Sequence, residues 1–185
     1  MNTFVSYELE AAITRLELID GRHDYLAGSR AVEVHVGARA LQAARMMHEA
    51  EHVADIDLSV SKLEYKQLKQ QKKLGAKVVQ HHYPRIQREG VYRVNSLQLD
   101  DGAYDVWRDR WYEPARHPEG IISVEELAEN SEWNDELGLY VLTPDYLVAQ
   151  RQRSVTFLEA KDELTFIEEQ RLKKDYADLS ALEAA

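Results

Sequence analysis

The 185 residues include no cysteine, which excludes disulfides, cysteine-ligated zinc, iron–sulfur clusters and thiol nucleophiles. A hydrophobic share of 44% suits a globular chain that buries its own core, and the apolar runs are too short to span a membrane. The net charge of −10 is unevenly spread: nine bases stand against two acids from Lys62 to Arg93, and twelve acids against three bases from Val94 to Tyr140.

In chain order, Leu9, Ala12, Ile13 and Leu16 at helical spacing, with Ser6 as cap and Asp20-Gly21 as stop, predict a helix over 7–19. Ala31 to Gly37 alternates like a short strand, or else forms the first turns of the helix that follows. From Ala38 to Ala54 the pattern is helical, with Ala40, Ala43, Met47, Ala50 and Ala54 as a packing seam. Asp55-Ile56-Asp57 interrupts it. Ser61 with Glu64 then makes a possible capping box for a helix to about Val79, weakened near its end by Gly75.

Val91 to Leu99 and Ala103 to Tyr112 flank Asp100-Asp101-Gly102 and predict a hairpin. Two prolines and a glycine make 113–120 a loop, Ser123 caps a short acidic helix, and Leu139 to Leu142 is one more strand. Thr143 as cap and Pro144 at the first helical position open the strongest helical signal, which meets no Gly or Pro up to Ala185. A single helix over 144–183 would be roughly 60 Å long, against a radius of gyration of about 16 Å for a compact domain of this size. A second reading breaks it near Arg153-Ser154 or Lys174-Asp175 into two helices packed on the chain's own core.

These elements predict an α+β fold: mainly helical, with a long C-terminal helix and a small antiparallel sheet inserted in the middle. A helical part over 1–80, a small β-containing part over 81–142 and the long helix over 143–185 form one domain with an appendage.

His48-Glu49-Ala50-Glu51-His52 fits H-E-x-x-H, in which two histidines on one helical face hold Zn²⁺ and the glutamate acts as general base. Against a zinc hydrolase, Glu51 puts a charge where zinc peptidases carry an uncharged residue. No third ligand stands at the usual spacing, where the residue is Leu58, and Asp55, Glu64, His81 and His82 sit in no companion motif. Both histidines also project away from the alanine seam, so solvated histidines are the preferred reading and no metal or cofactor is expected. Glu49-Ala50-Glu51-His52 also fits the Glu-x-x-His of di-iron bundles, but only one copy is present where two are needed.

Lys66, Lys69, Lys73 and Lys77 recur at helical steps, and Arg85 and Arg88 continue the basic stretch, which makes 62–93 a candidate nucleic-acid contact. Phe157, Leu164, Ile167, Leu172, Tyr176 and Leu179 stripe the distal helix and predict a protein partner or a second copy. The favoured function is a non-enzymatic structural or interaction subunit of a larger assembly, such as a virion connector-like or ring-forming component. The zinc hydrolase and the nucleic-acid-associated protein are its alternatives. The start of the sequence lacks a basic, apolar leader, and the expectation is a cytoplasmic protein without membrane contact.

Overall fold

The computed structural model describes residues 5–50, 55–84, 91–112 and 121–185. Helix α1 (Tyr7–Arg15) begins as the sequence predicts, with the Ser6 hydroxyl accepting from the Leu9 amide at 3.2 Å, and Leu9, Ile13 and Leu16 are buried. It stops four residues short of the predicted end, and Glu17 just beyond it turns to a φ of 52°.

The first departure is at 31–37. After β1 (Tyr25–Ala27), residues Gly28–Val36 form helix α2, and Gly37, with a φ of 84°, separates it from α3 (Ala38–Met47). The alternation of Val32, Val34 and Val36 with Glu33 and His35 resembles a half-exposed strand because polar and apolar residues take turns. In the fold both sets are buried. Glu33 accepts the Ser6 hydroxyl at 2.7 Å and pairs with Arg30, and His35 Nε2 donates to the Leu142 carbonyl at 2.7 Å. A helix buried on all sides has no polar stripe to reveal its period.

Asp55-Ile56-Asp57 is likewise no simple interruption, since β2 runs over Ile56–Val60. Ser61 then caps α4 (Lys62–Gln70), which is nine residues long, and Lys77–Pro84 is strand β3 rather than the end of a helix. The predicted hairpin is present as β4 (Val91–Leu99) and β5 (Tyr104–Arg108), after which β6 (Arg110–Tyr112) leaves to pair with β7 (Ile121–Ser123). Ser123 caps α5 (Val124–Glu129), and β8 (Ser131–Asn134) and β9 (Leu139–Leu142) follow.

Seven of these strands form one mixed sheet in the order β3-β4-β5-β2-β1-β9-β8. The neighbours β2/β5 and β1/β9 are parallel and the other pairs antiparallel. A small antiparallel insert is therefore the wrong description: the sheet extends from the first strand to the last, and the fold is mixed α/β. The two parallel pairings join segments far apart in sequence, which local hairpin signals do not reveal.

The C-terminal segment corrects the second expectation. Pro144–Glu159 forms α6 and Phe166–Glu183 forms α7, which packs back on α6, α3 and α2. The break falls at 160–165, and not near Arg153 or Lys174. Thr165 and Glu168 make a capping box there, with both reciprocal hydrogen bonds present. No 60 Å rod projects from the body. An assembly subunit, expected only because an apolar flank would lie beyond the reach of its own domain, thereby loses its basis. Among the described residues, no helix is long and apolar enough to cross a membrane.

α7 is also buried through a face the stripe did not predict. Asp175, Ala177, Asp178 and Ala181 are covered, while Leu164, Leu172, Tyr176 and Leu179 are half-buried and Ile167 is exposed. On α3 the covered residues are Leu41, Ala44 and Arg45, whereas Ala40, Ala43 and Met47 of the supposed seam are exposed. Arg45 and Arg151 explain both shifts. Arg151 Nε lies 3.0 Å from Asp178 and 3.5 Å from Asp175, and Arg45 reaches Asp178 at 3.4 Å, so α3, α6 and α7 meet across ion pairs.

Candidate active site

β2 and β5 run parallel with Asp57 directly beside Asp105, so their side chains emerge from the same face of the sheet on neighbouring strands. Asp55 lies two residues before Asp57, at the mouth of β2. The carboxyl of Asp57 is pushed up to about 7, first by burial and then by the negative charge of Asp55, with Asp105 adding to it and Lys174 and Arg151 opposing it. Asp57 thus lies within the field of two other acids at the start of two strands.

The chain brings a helix start to the same place. β1 pairs with β2 so that Ala27 sits opposite Asp57, and the next residue, Gly28, opens α2 with a φ of 64°. A side chain at Gly28 would place its Cβ 2.1 Å from Asp57 Oδ2, so glycine is required both by the turn and by the closeness of the carboxylate. Ala27, the N-cap, contributes no side-chain hydrogen bond to the first turn of α2, unlike Ser6, Ser61, Ser123 and Thr165 on α1, α4, α5 and α7. That turn is buried at Gly28 and Ser29. Amides of a buried helix start that lack a side-chain cap can receive an anion, with the helix dipole in support. The Ser29 hydroxyl donates instead to Asp178 at 3.1 Å and is thereby held by α7.

The residues singled out from the sequence lie elsewhere. His48 is the C-cap of α3, which ends at Met47, and Glu49 has a φ of 52°. His52 lies outside the described residues. The His48 ring stacks on Tyr176 at 6.2 Å between centroids. Among the described residues, no group of three or more His, Cys, Asp or Glu side chains is drawn together as a ready metal shell.

Lys66 and Lys69 are exposed along α4, Lys73 pairs with Glu17 at 2.6 Å, and Lys77 on β3 pairs with Asp101 at 3.1 Å. The four therefore do not line one helix, and Arg85 and Arg88 lie outside the described residues. Phe157 on α6 is half-buried beneath the Lys161 ammonium, 4.9 Å from its ring centroid.

Sequence reasoning missed the acids because it took Asp55-Ile56-Asp57 as a break. The signal was there: Asp-Ile-Asp-Leu-Ser-Val alternates as a strand does, which places both aspartates on one face. What no local pattern offered was the register that sets Asp105 beside Asp57.

Searches against protein-family models and curated proteins find no match. Among solved structures the chain is similar to the crystal structure of the Megavirus polyadenylate synthase, at 13% identity and a TM-score of 0.47. The match covers 98% of this chain and 34% of that one, so the chain spans about a third of that protein's length. At that score the likeness carries no weight for either fold or activity.

Proposed function

We propose that the chain is a metal-dependent nucleotidyltransferase, with the paired Asp57 and Asp105 as cation ligands, Asp55 as the third acid of the neighbourhood and the first turn of α2 as the phosphate cradle. The observation that carries this is the meeting of Asp57, beside Asp105 across two parallel strands, with the glycine start of α2. Hard oxygen donors on a rigid sheet suit Mg²⁺ or Mn²⁺. A carboxyl pushed up to about 7 by burial and its acidic neighbours is one that a cation would stabilise as its anion. When bound, the metal supplies charge neutralisation on the phosphates and on the attacking and leaving oxygens.

The chain's own residues then position the substrate. The first-turn amides of α2 receive phosphate oxygens, and Gly28, having no Cβ, lets the Asp57 carboxylate lie against that turn. An acceptor hydroxyl oxygen forms the new bond to the α-phosphorus, the bond to the bridging oxygen breaks, and pyrophosphate departs with its electron pair. The hydroxyl proton passes to a carboxylate of the trio.

The test is release of pyrophosphate and transfer of α-phosphate label from each of the four ribonucleoside triphosphates, with Mg²⁺ or Mn²⁺, to RNA and to protein hydroxyls. The expected result is metal-dependent transfer that falls by about 10³-fold or more in Asp57→Asn and Asp105→Asn. Transfer that persists in both variants, or its absence with every triphosphate and acceptor, would overturn the proposal.

A further inference from the structure

One line of paired residues crosses the sheet from β3 through β4, β5 and β2 to β1. Lys77 on β3 is opposite Gln98 on β4, Gln98 is opposite Asp105 on β5, Asp105 is beside Asp57 on β2, and Asp57 is opposite Ala27 on β1. Residues so paired share a face of the sheet. The burial of β4 agrees, since Leu97 and Leu99, on its other face, are fully buried and Gln98 is half-buried. The line has a direction. On the β1 side of the two acids Gly28 opens α2, the phosphate cradle of the proposed reaction. On the β4 side stand an amide and then a cation. The Lys77 ammonium pairs with Asp101 at 3.1 Å, but both side chains are exposed, and such a pair is weak enough for a phosphate to replace.

We infer that Gln98 and Lys77 hold the acceptor, and that the acceptor is the 3′ end of a polynucleotide. This names the second substrate of the carboxylate site and rests on that reading. In an in-line displacement the attacking and leaving oxygens lie on opposite sides of the α-phosphorus. Pyrophosphate leaves toward α2, so the attacking hydroxyl arrives from the other side of the acids, over β5 and β4. There Gln98, with two donors and an acceptor on one carboxamide, meets the terminal sugar or base. Lys77, two strand spacings or about 10 Å beyond Asp105, meets the phosphate that follows, as a point charge on a flexible stem. A serine or tyrosine hydroxyl of a protein brings no anion to that place.

The experiment is fluorescence anisotropy of a short end-labelled oligoribonucleotide with the full chain across a salt series, followed by transfer kinetics with the same oligonucleotide as acceptor. Wild type is compared with Lys77→Ala, Lys77→Arg, Gln98→Ala and, as a control, Arg22→Ala, which removes an exposed cation beyond the opposite end of β1. Lys77→Ala should weaken binding about five- to tenfold and lower the slope of log affinity against log salt by about 1, and Lys77→Arg should restore both. Gln98→Ala should raise KM for the oligonucleotide about fivefold and leave KM for the triphosphate unchanged. Arg22→Ala should match wild type. Oligonucleotide binding that Lys77→Ala leaves intact, or that Arg22→Ala weakens equally, overturns this inference and leaves the site standing. Transfer to protein hydroxyls by a wild type that does not bind the oligonucleotide does the same. A wild type that transfers to no acceptor overturns the site and the inference together.

Discussion

At the residue scale the turn into α2 leaves no space for a side chain. Gly28→Ala would set a Cβ into Asp57 Oδ2 at a φ of 64°, so the expected outcome is a loss of about 1–3 kcal/mol in chemical denaturation with transfer activity abolished. Asp24, buried just before β1 and accepting the Ser61 amide at 3.2 Å, gives a pH effect. Burial, with Glu64 and Asp20 adding to it, pushes its carboxyl to about 7. Below the ordinary carboxylate range both states hold the proton. As pH rises the unfolded chain releases it first, so stability falls until about pH 7 and then levels. Asp24→Asn should flatten the dependence of Tm on pH between about 4 and 7, and an unchanged slope would refute the assignment. Neither residue stands out in the sequence alone. Gly28 is one of 8 glycines, and the steric demand on it exists only once β2 lies alongside.

At the scale of elements, legibility followed locality. The caps at Ser6, Ser61 and Ser123 and the hairpin around Asp100 were readable because the partner is only a few residues away. α2 was not, because burial on every side erased its period, and the end of α4 was not, because Lys72 to Val79 keeps a polar pattern that a helix or a strand can carry. The turn between α6 and α7 was written in Thr165-Phe166-Ile167-Glu168, a capping box with no Gly or Pro to announce it. Thr165→Ala should lower Tm by about 3 °C and speed amide exchange in the first turn of α7 before any other element. Equal exchange in both proteins would show that packing alone holds that turn.

For the molecule as a whole, the sheet unites strands from both halves of the sequence, and the helices that cover it are joined by charge. Arg45, Arg151, Asp175 and Asp178 are nearly inaccessible to water, so removing α7 would strip two buried guanidinium groups of these carboxylates. A chain ending at Glu159 should therefore unfold without a cooperative transition, rather than yield the folded body that loss of a mere appendage would leave. Arg151→Met alone should cost roughly 3–5 kcal/mol, because it takes the closest cation from two buried carboxylates. Replacing all four with apolar residues of similar volume should cost far less, measured by urea denaturation of the single and fourfold variants.

That asymmetry extends beyond the single chain. A lineage cannot shed one member of such a quartet and drift to the rest, since the intermediate is worse than either end. Any distant cousin should then carry Arg45, Arg151, Asp175 and Asp178 as a block or show none of them, which makes the quartet a marker of descent.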